Sequence, residues 1–126
     1  DLVLTFRNSH NWIRFGGIEQ AYKSFNRVLK KGGVLGVVQH RAAPDADVKQ
    51  AAEKGYIPQA YLIELVESMG FKLVAQSEIN ANVKDTKDHS KGVWSLPPSY
   101  REKDQNREKY RAIGETDRMT LRFVKL

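Results

Sequence analysis

The sequence contains no cysteine among its 126 residues. That excludes a disulfide framework and any thiolate metal site. No apolar run approaches the roughly 20 residues a membrane-spanning helix needs, and no secretory signal pattern is visible. There is no Gly-x-Ser-x-Gly elbow and no phosphate-cradling glycine loop, so hydrolase and nucleoside-triphosphate readings have no support. Internal repeats and low-complexity segments are absent. The three histidines and the scattered carboxylates show no ligand spacing, so no metal site is expected. Acidic residues are outnumbered, 15 against 21 Lys and Arg, for a net charge of +6. The excess is thinly spread: ten basic against eight acidic over residues 1–79, nine against seven over 80–118, two against none over 119–126. With no basic block, this reads as a solvated surface and not a nucleic-acid face.

What is present is organised around Leu29-Lys30-Lys31-Gly32-Gly33-Val34-Leu35-Gly36-Val37-Val38-Gln39-His40-Arg41. Lys30 and Lys31 suit the negative end of a helix dipole, and a glycine after them can take the left-handed helix-stop conformation. Val34 to Val38 is apolar without alternation, which predicts a parallel strand covered on both faces. It ends in Gln39, His40 and Arg41, at the carboxyl end where open α/β sheets bind ligands.

Leu2 to Phe6 predicts another such strand, ending in the polar cluster Arg7-Asn8-Ser9-His10-Asn11-Trp12. Ile18, Ala21, Tyr22, Phe25, Val28 and Leu29 make one apolar stripe, so a helix joins the two strands in a right-handed βαβ unit with adjacent tips. Residues 42–54 predict a lid or a short surface helix. Pro58 opens another helix, with Tyr61, Leu62, Leu65, Val66 and Met69 on its buried face and Gly70 ending it. Phe71 to Ile79 predicts a third strand with Phe71, Leu73, Ala75 and Ser77 on one side. Met119 to Val124 alternates as an antiparallel strand does. Residues 80–118, too long for a hairpin turn, form an insertion that Trp94, Tyr100 and Tyr110 are expected to seat against the sheet. The length suits one domain with a modest core.

This order resembles the carboxyl-terminal half of a class I S-adenosylmethionine-dependent methyltransferase. Asp1 to Phe6 resembles that family's fourth strand. Arg27 to Leu35 resembles its LKPGG junction, with Lys31 where proline is usual. Glu67-Ser68-Met69-Gly70-Phe71 resembles the end of the helix before its sixth strand, and Met119 to Lys125 its antiparallel seventh. The Asn80–Arg118 insertion resembles a predicted bacterial subfamily. The resemblance covers residues 1–79 and 119–126. It implies an α/β fold whose four strands run in the family's order 4-5-7-6, with helices mainly on one face. It also implies S-adenosylmethionine as cofactor and a methyl acceptor as substrate. His10 and Asn8 become catalytic candidates, His10 as general base. Arg7, Asn8, Asn11 and Trp12 become cofactor contacts, and His40 and Arg41 line the substrate side. His89 reads as solvated.

The family's glycine-rich cofactor loop is absent, so the chain reads as a piece of a longer protein. It is expected to bind S-adenosylmethionine weakly or not at all, with the cytoplasm the expected compartment. An apolar sheet face and the edge at Leu2–Phe6 would be left open, so a homodimer is expected, with the insertion covering part of that face. The competing reading is a non-catalytic α/β module that binds a partner or itself.

Overall fold

A computed structural model describes residues 1–126. Strand β1 (Leu2–Phe6) runs parallel to β2 (Val34–His40), with Leu2 opposite Val34 and Phe6 opposite Val38. Between them lie a short helix α1 (Ser9–Arg14) and the longer α2 (Ile18–Val28). Helices α3 (Val48–Glu53) and α4 (Gln59–Ser68) lead to β3 (Phe71–Ser77). The insertion then carries a 3-10 turn (Gly92–Ser95) and α5 (Arg107–Ile113) before β4 (Arg118–Lys125). Strand β4 enters antiparallel between β2 and β3, giving the order β1-β2-β4-β3. This is the mixed four-stranded α/β sheet that the chain pattern predicts.

Helix α2 already ends at Val28, with Leu29 extended after it. The expected glycine helix stop is instead a separate tight turn into β2, closed by Gly33 N–H on Lys30 O at 2.8 Å. That turn is made at Gly32, whose φ of 79° only glycine adopts without strain. Its N–H reaches Lys125 O at 2.9 Å, tying the turn to the end of β4. Helix α2 lays Ile18 and Tyr22 on one face of the sheet, where they meet Leu35, Val37 and Leu121 in the main core. Leu62 and Val66 of α4 complete the same layer. Val28 departs from the predicted stripe and is exposed, while Leu29, one residue past the helix, turns inward.

Two expectations about the strands need correcting. From Val34 to Gln39 burial alternates along β2, with Leu35, Val37 and Gln39 buried and Val34, Gly36 and Val38 only partly so, and the strand is not covered on both faces. Leu2, Leu4 and Phe6 are each more than half exposed on the other side. In β3 the register to β4 slips between Leu73 and Ala75, making Val74 the extra residue of a bulge. A bulge reverses which side later residues face. Leu73 therefore pairs with buried Phe123, while Ala75 and Ser77 pair with Arg122 and Thr120 on the open face.

The insertion does not cover that open face. It packs instead at the carboxyl ends of β1 and β2, where Val93 joins Ala42 and Tyr56 in a second small core. A Cβ on Gly92 would run into the backbone of Lys54, so glycine permits this approach, and Val93 N–H bonds Lys54 O at 2.9 Å. No helix is long and apolar enough to cross a membrane.

Candidate functional site

The site begins where β1 stops. Arg7 has a φ of 56°, a left-handed conformation that is uncommon for a residue with a side chain. Its N–H still bonds Val38 O at 2.7 Å, so the turn starts immediately after the last ladder bond. That turn brings Asn8 to the start of α1. Ser9 Oγ meets Tyr22 OH at 2.7 Å, anchoring α1 to α2 and leaving His10 and Asn11 beside the tip of β2. Burial raises the Tyr22 phenol to about 12, although the Ser9 contact pulls it the other way, so this link keeps its proton.

At the tip of β2, Gln39 is fully buried, and its amide organises what surrounds it. Its Nε2–H groups donate to Gly55 O at 2.9 Å and to His40 O at 3.3 Å, and Nε2 lies 3.3 Å from His10 Nδ1. Its Oε1 accepts the His10 backbone N–H at 3.4 Å. Two carbonyl neighbours require that corner of the amide to be nitrogen, which cannot accept a hydrogen bond. A hydrogen on His10 Nδ1 would face the amide hydrogens, so Nδ1 is left unprotonated. The proton of neutral His10 then sits on Nε2.

His40 is held the same way. Its Nδ1 lies 2.6 Å from Thr116 Oγ1, which also accepts from Arg118 Nε at 3.1 Å. The pattern that uses every group runs from Arg118 N–H to the Thr116 oxygen and from the Thr116 hydroxyl to His40 Nδ1. His40 therefore also carries its proton on Nε2. Neither Nε2 has a protein partner, and neither is among the sealed, unpartnered polar atoms. Burial lowers His10, with Gln39 opposing and Arg14 assisting. His40 falls to about 3 through burial and the charges of Arg118, His10 and Arg7. Both rings are neutral at pH 7, their centroids 5.8 Å apart.

These groups open on one cleft of about 320 Å3. Arg7, Asn8, His10 and Asn11 line it from the β1 side, His40 from β2, and Trp94, Thr116 and Arg118 from the insertion. Trp94 meets His10 edge-on at 5.9 Å. No Asp or Glu lines the cleft. S-adenosylmethionine does not fit these residues: its sulfonium and ammonium are cations, and its ribose diol is usually held by a carboxylate. Arg7 and Arg118 carry the same sign of charge as those cations, and no Asp or Glu lines the cleft to receive the diol.

Several sequence candidates stand elsewhere. Trp12 packs edge-on against Tyr22 and Phe25 outside the cleft lining. Arg41 turns away, forking onto Asp117 with both contacts at 3.0 Å and reaching Glu78 at 2.8 Å. His89 is buried, not solvated, with Nε2 2.8 Å from Asp85. General-base chemistry at His10 meets the obstacle that Gln39 occupies the face of Nδ1 and Nε2 is protonated.

The residues the sequence reading missed come from the insertion: Trp94, Thr116 and Arg118. A buried network seats them. Asp85 accepts from Tyr56 OH, the Lys87 and Asp117 N–H groups and His89 Nε2. Asp117 accepts from Arg41, from Lys87 Nζ at 2.9 Å and from Asn82 N–H at 2.8 Å. Burial pushes the Asp117 carboxyl up, but Arg41, Asn82 and Lys87 outweigh it and hold it at about 2. The network fixes Thr116, the residue before Asp117, over the tip of β2.

No known protein family matches the chain, and no curated protein matches it either. Among solved structures, the chain is similar to one titled "Crystal Structure of the [4+2]-Cyclase SpnF", with a TM-score of 0.57 and 16% identity. The match covers 99% of this chain and 49% of that one, so the chain spans about half its length. At this identity the likeness shows the fold alone. It also corrects the family expectation: the structure that shares this fold is titled a [4+2]-cyclase, and nothing in that likeness shows methyl transfer. The junctions that carried the resemblance, at Gly32 and Gly70, are demands of the fold, and a fold hosts unrelated chemistries.

Proposed function

We propose that this chain is a small-molecule-binding α/β module whose ligand site is the cleft at the carboxyl ends of β1 and β2. The observation that carries the reading is the convergence of His10 and His40, each with a partnered Nδ1 and an open Nε2, on that cleft. Its volume of about 320 Å3 falls at the small end of the range for ligand pockets. Its position, outside the carboxyl ends of parallel strands, is where open α/β sheets bind ligands.

Should the module act on what it binds, His10 supplies an N–H donor to developing negative charge, with Asn8 beside it at the rim. Methyl transfer from S-adenosylmethionine needs a cation-accepting site these residues do not provide. The chain is expected to bind that cofactor weakly or not at all, and titration calorimetry with S-adenosylmethionine reads this directly.

Two copies associate, in this proposal, through β1. The outer edge of β1 has no strand partner, and an antiparallel pairing centred on Leu4 sets Leu2 against Phe6 of the second copy on the same face. Such an isologous contact is self-complementary.

The test of the site is a fragment screen by amide chemical-shift mapping on the labelled chain. Hits gathering on Arg7–Asn11, His40 and Trp94 support the reading. Hits confined to the open sheet face, or no hits at millimolar concentration, overturn it.

A further inference from the structure

Every polar group facing the cleft that carries charge is a cation. The lining holds Arg7 and Arg118 and no carboxylate. The Arg7 side chain makes no hydrogen bond or ion pair, and it stands on a left-handed backbone that projects it from the strand tip. The side-chain amides of Asn8 and Asn11 likewise have no protein partner, in contrast to Gln39 behind them. Arg118 binds Glu115 at 2.8 Å through Nη2 and Thr116 through Nε, which leaves Nη1. Two further guanidiniums lie over the rings of Trp94, Arg101 at 5.2 Å and Arg14, which is paired with Glu53, at 5.6 Å.

The histidines belong to the same design. A neutral imidazole can present either a donor or an acceptor, and the buried partners choose between them. Gln39 and Thr116 each occupy Nδ1, so both rings present Nε2–H to the cleft. An acceptor group on the ligand is satisfied by these donors, while a donor group meets two N–H groups and two guanidiniums. Burial keeps both rings uncharged, so they act as oriented donors at neutral pH.

Resting on the binding reading above, we infer that the cleft selects small organic molecules bearing an oxyanion, taken by Arg7 and Arg118 with the Nε2–H groups of His10 and His40. Carboxylate and phosphate share this chemistry, and guanidinium groups recognise both.

The experiment compares matched pairs by calorimetry and chemical-shift mapping: benzoate against benzamide, acetate against acetamide, and phenyl phosphate as the third arm. Each acid is expected to bind at least tenfold more tightly than its amide, and Arg7→Gln is expected to erase most of that ratio. Arg7 is exposed, so this variant leaves the fold intact. Whichever of benzoate and phenyl phosphate binds more tightly identifies the anion's geometry, and either order supports the inference. Equal binding of acid and amide at the cleft overturns the inference and leaves the binding reading standing. Absence of binding by all five probes overturns both.

Discussion

His40 Nδ1 and Thr116 Oγ1 lie 2.6 Å apart across 76 residues of sequence. The contact joins the tip of a parallel strand to the far end of the insertion, and it decides which nitrogen of His40 faces the cleft. Removing the hydroxyl should therefore act on stability and on the site together. Thr116→Val leaves a buried ring nitrogen and the Arg118 Nε without their shared partner, at a cost of about 1–3 kcal/mol. Thr116→Ser keeps the hydroxyl and should restore most of it. Urea unfolding of the two variants beside the parent chain measures the difference. A loss confined to Thr116→Ser, with Thr116→Val as stable as the parent, would show that the methyl group, not the hydrogen bond, matters here.

Acid should weaken the fold well before its carboxylates titrate. His40 is held at about 3 in the folded chain, against an ordinary value of about 6.5 when unfolded. The unfolded state thus binds a proton that the folded state refuses. Stability is complete above about pH 6.5 and falls as the pH drops from there towards 3. At pH 5 the loss from this ring is about 2 kcal/mol. His10 adds loss in the same direction. Asp117, held at about 2, loses its contribution only below about pH 4. Unfolding free energies at pH 7.5 and 5.0 check this, and an unchanged value would contradict the buried neutral rings.

The Arg41–Asp117 fork separates structural from ligand-facing charge. Arg41 is half-buried and Asp117 is buried, so Asp117→Asn leaves a guanidinium without its carboxylate and should cost about 3 kcal/mol. Arg41→Gln should destabilise to a similar extent. Neither side chain lines the cleft, and Arg41→Gln leaves the Asp117 N–H on Asp85 that seats Thr116. In that variant, if still folded at 10 °C, the affinity for benzoate should therefore stay within twofold of the parent. A tenfold loss for Arg41→Gln would place that residue in the site after all.

Self-association should depend on the middle of β1. Light scattering at micromolar concentration is expected to give twice the chain mass, and Leu4→Lys to return the monomer mass. Lysine on an exposed edge strand opposes strand pairing. A monomer for the parent chain would contradict the proposed β1 contact.

Much of the fold was legible because its signals are local. Gly32 marks the turn into β2, Ile18 and Tyr22 repeat at helical spacing, and Met119, Leu121 and Phe123 alternate as a half-buried strand must. The Val74 bulge left no trace, because an extra residue in Leu73-Val74-Ala75 changes neither composition nor hydrophobicity. The cleft was half legible. Arg7, Asn8, His10, Asn11 and His40 are readable as strand-tip polar groups. Thr116 and Arg118 reach them only through tertiary contacts spanning 76 residues or more. His89 sits in a charged stretch that reads as solvent-exposed until Asp85, four residues earlier, is seen to be buried with it.

The protonation of the two cleft histidines tests the account most directly. A long-range proton–nitrogen spectrum of the 15N-labelled chain at pH 7 reports which imidazole nitrogen carries hydrogen. His10→Gln and His40→Gln assign the signals. The account predicts that both rings are neutral Nε2–H tautomers and that benzoate moves their Nε2 resonances. Nδ1–H tautomers, or Nε2 signals that stay fixed while benzoate binds, would contradict it.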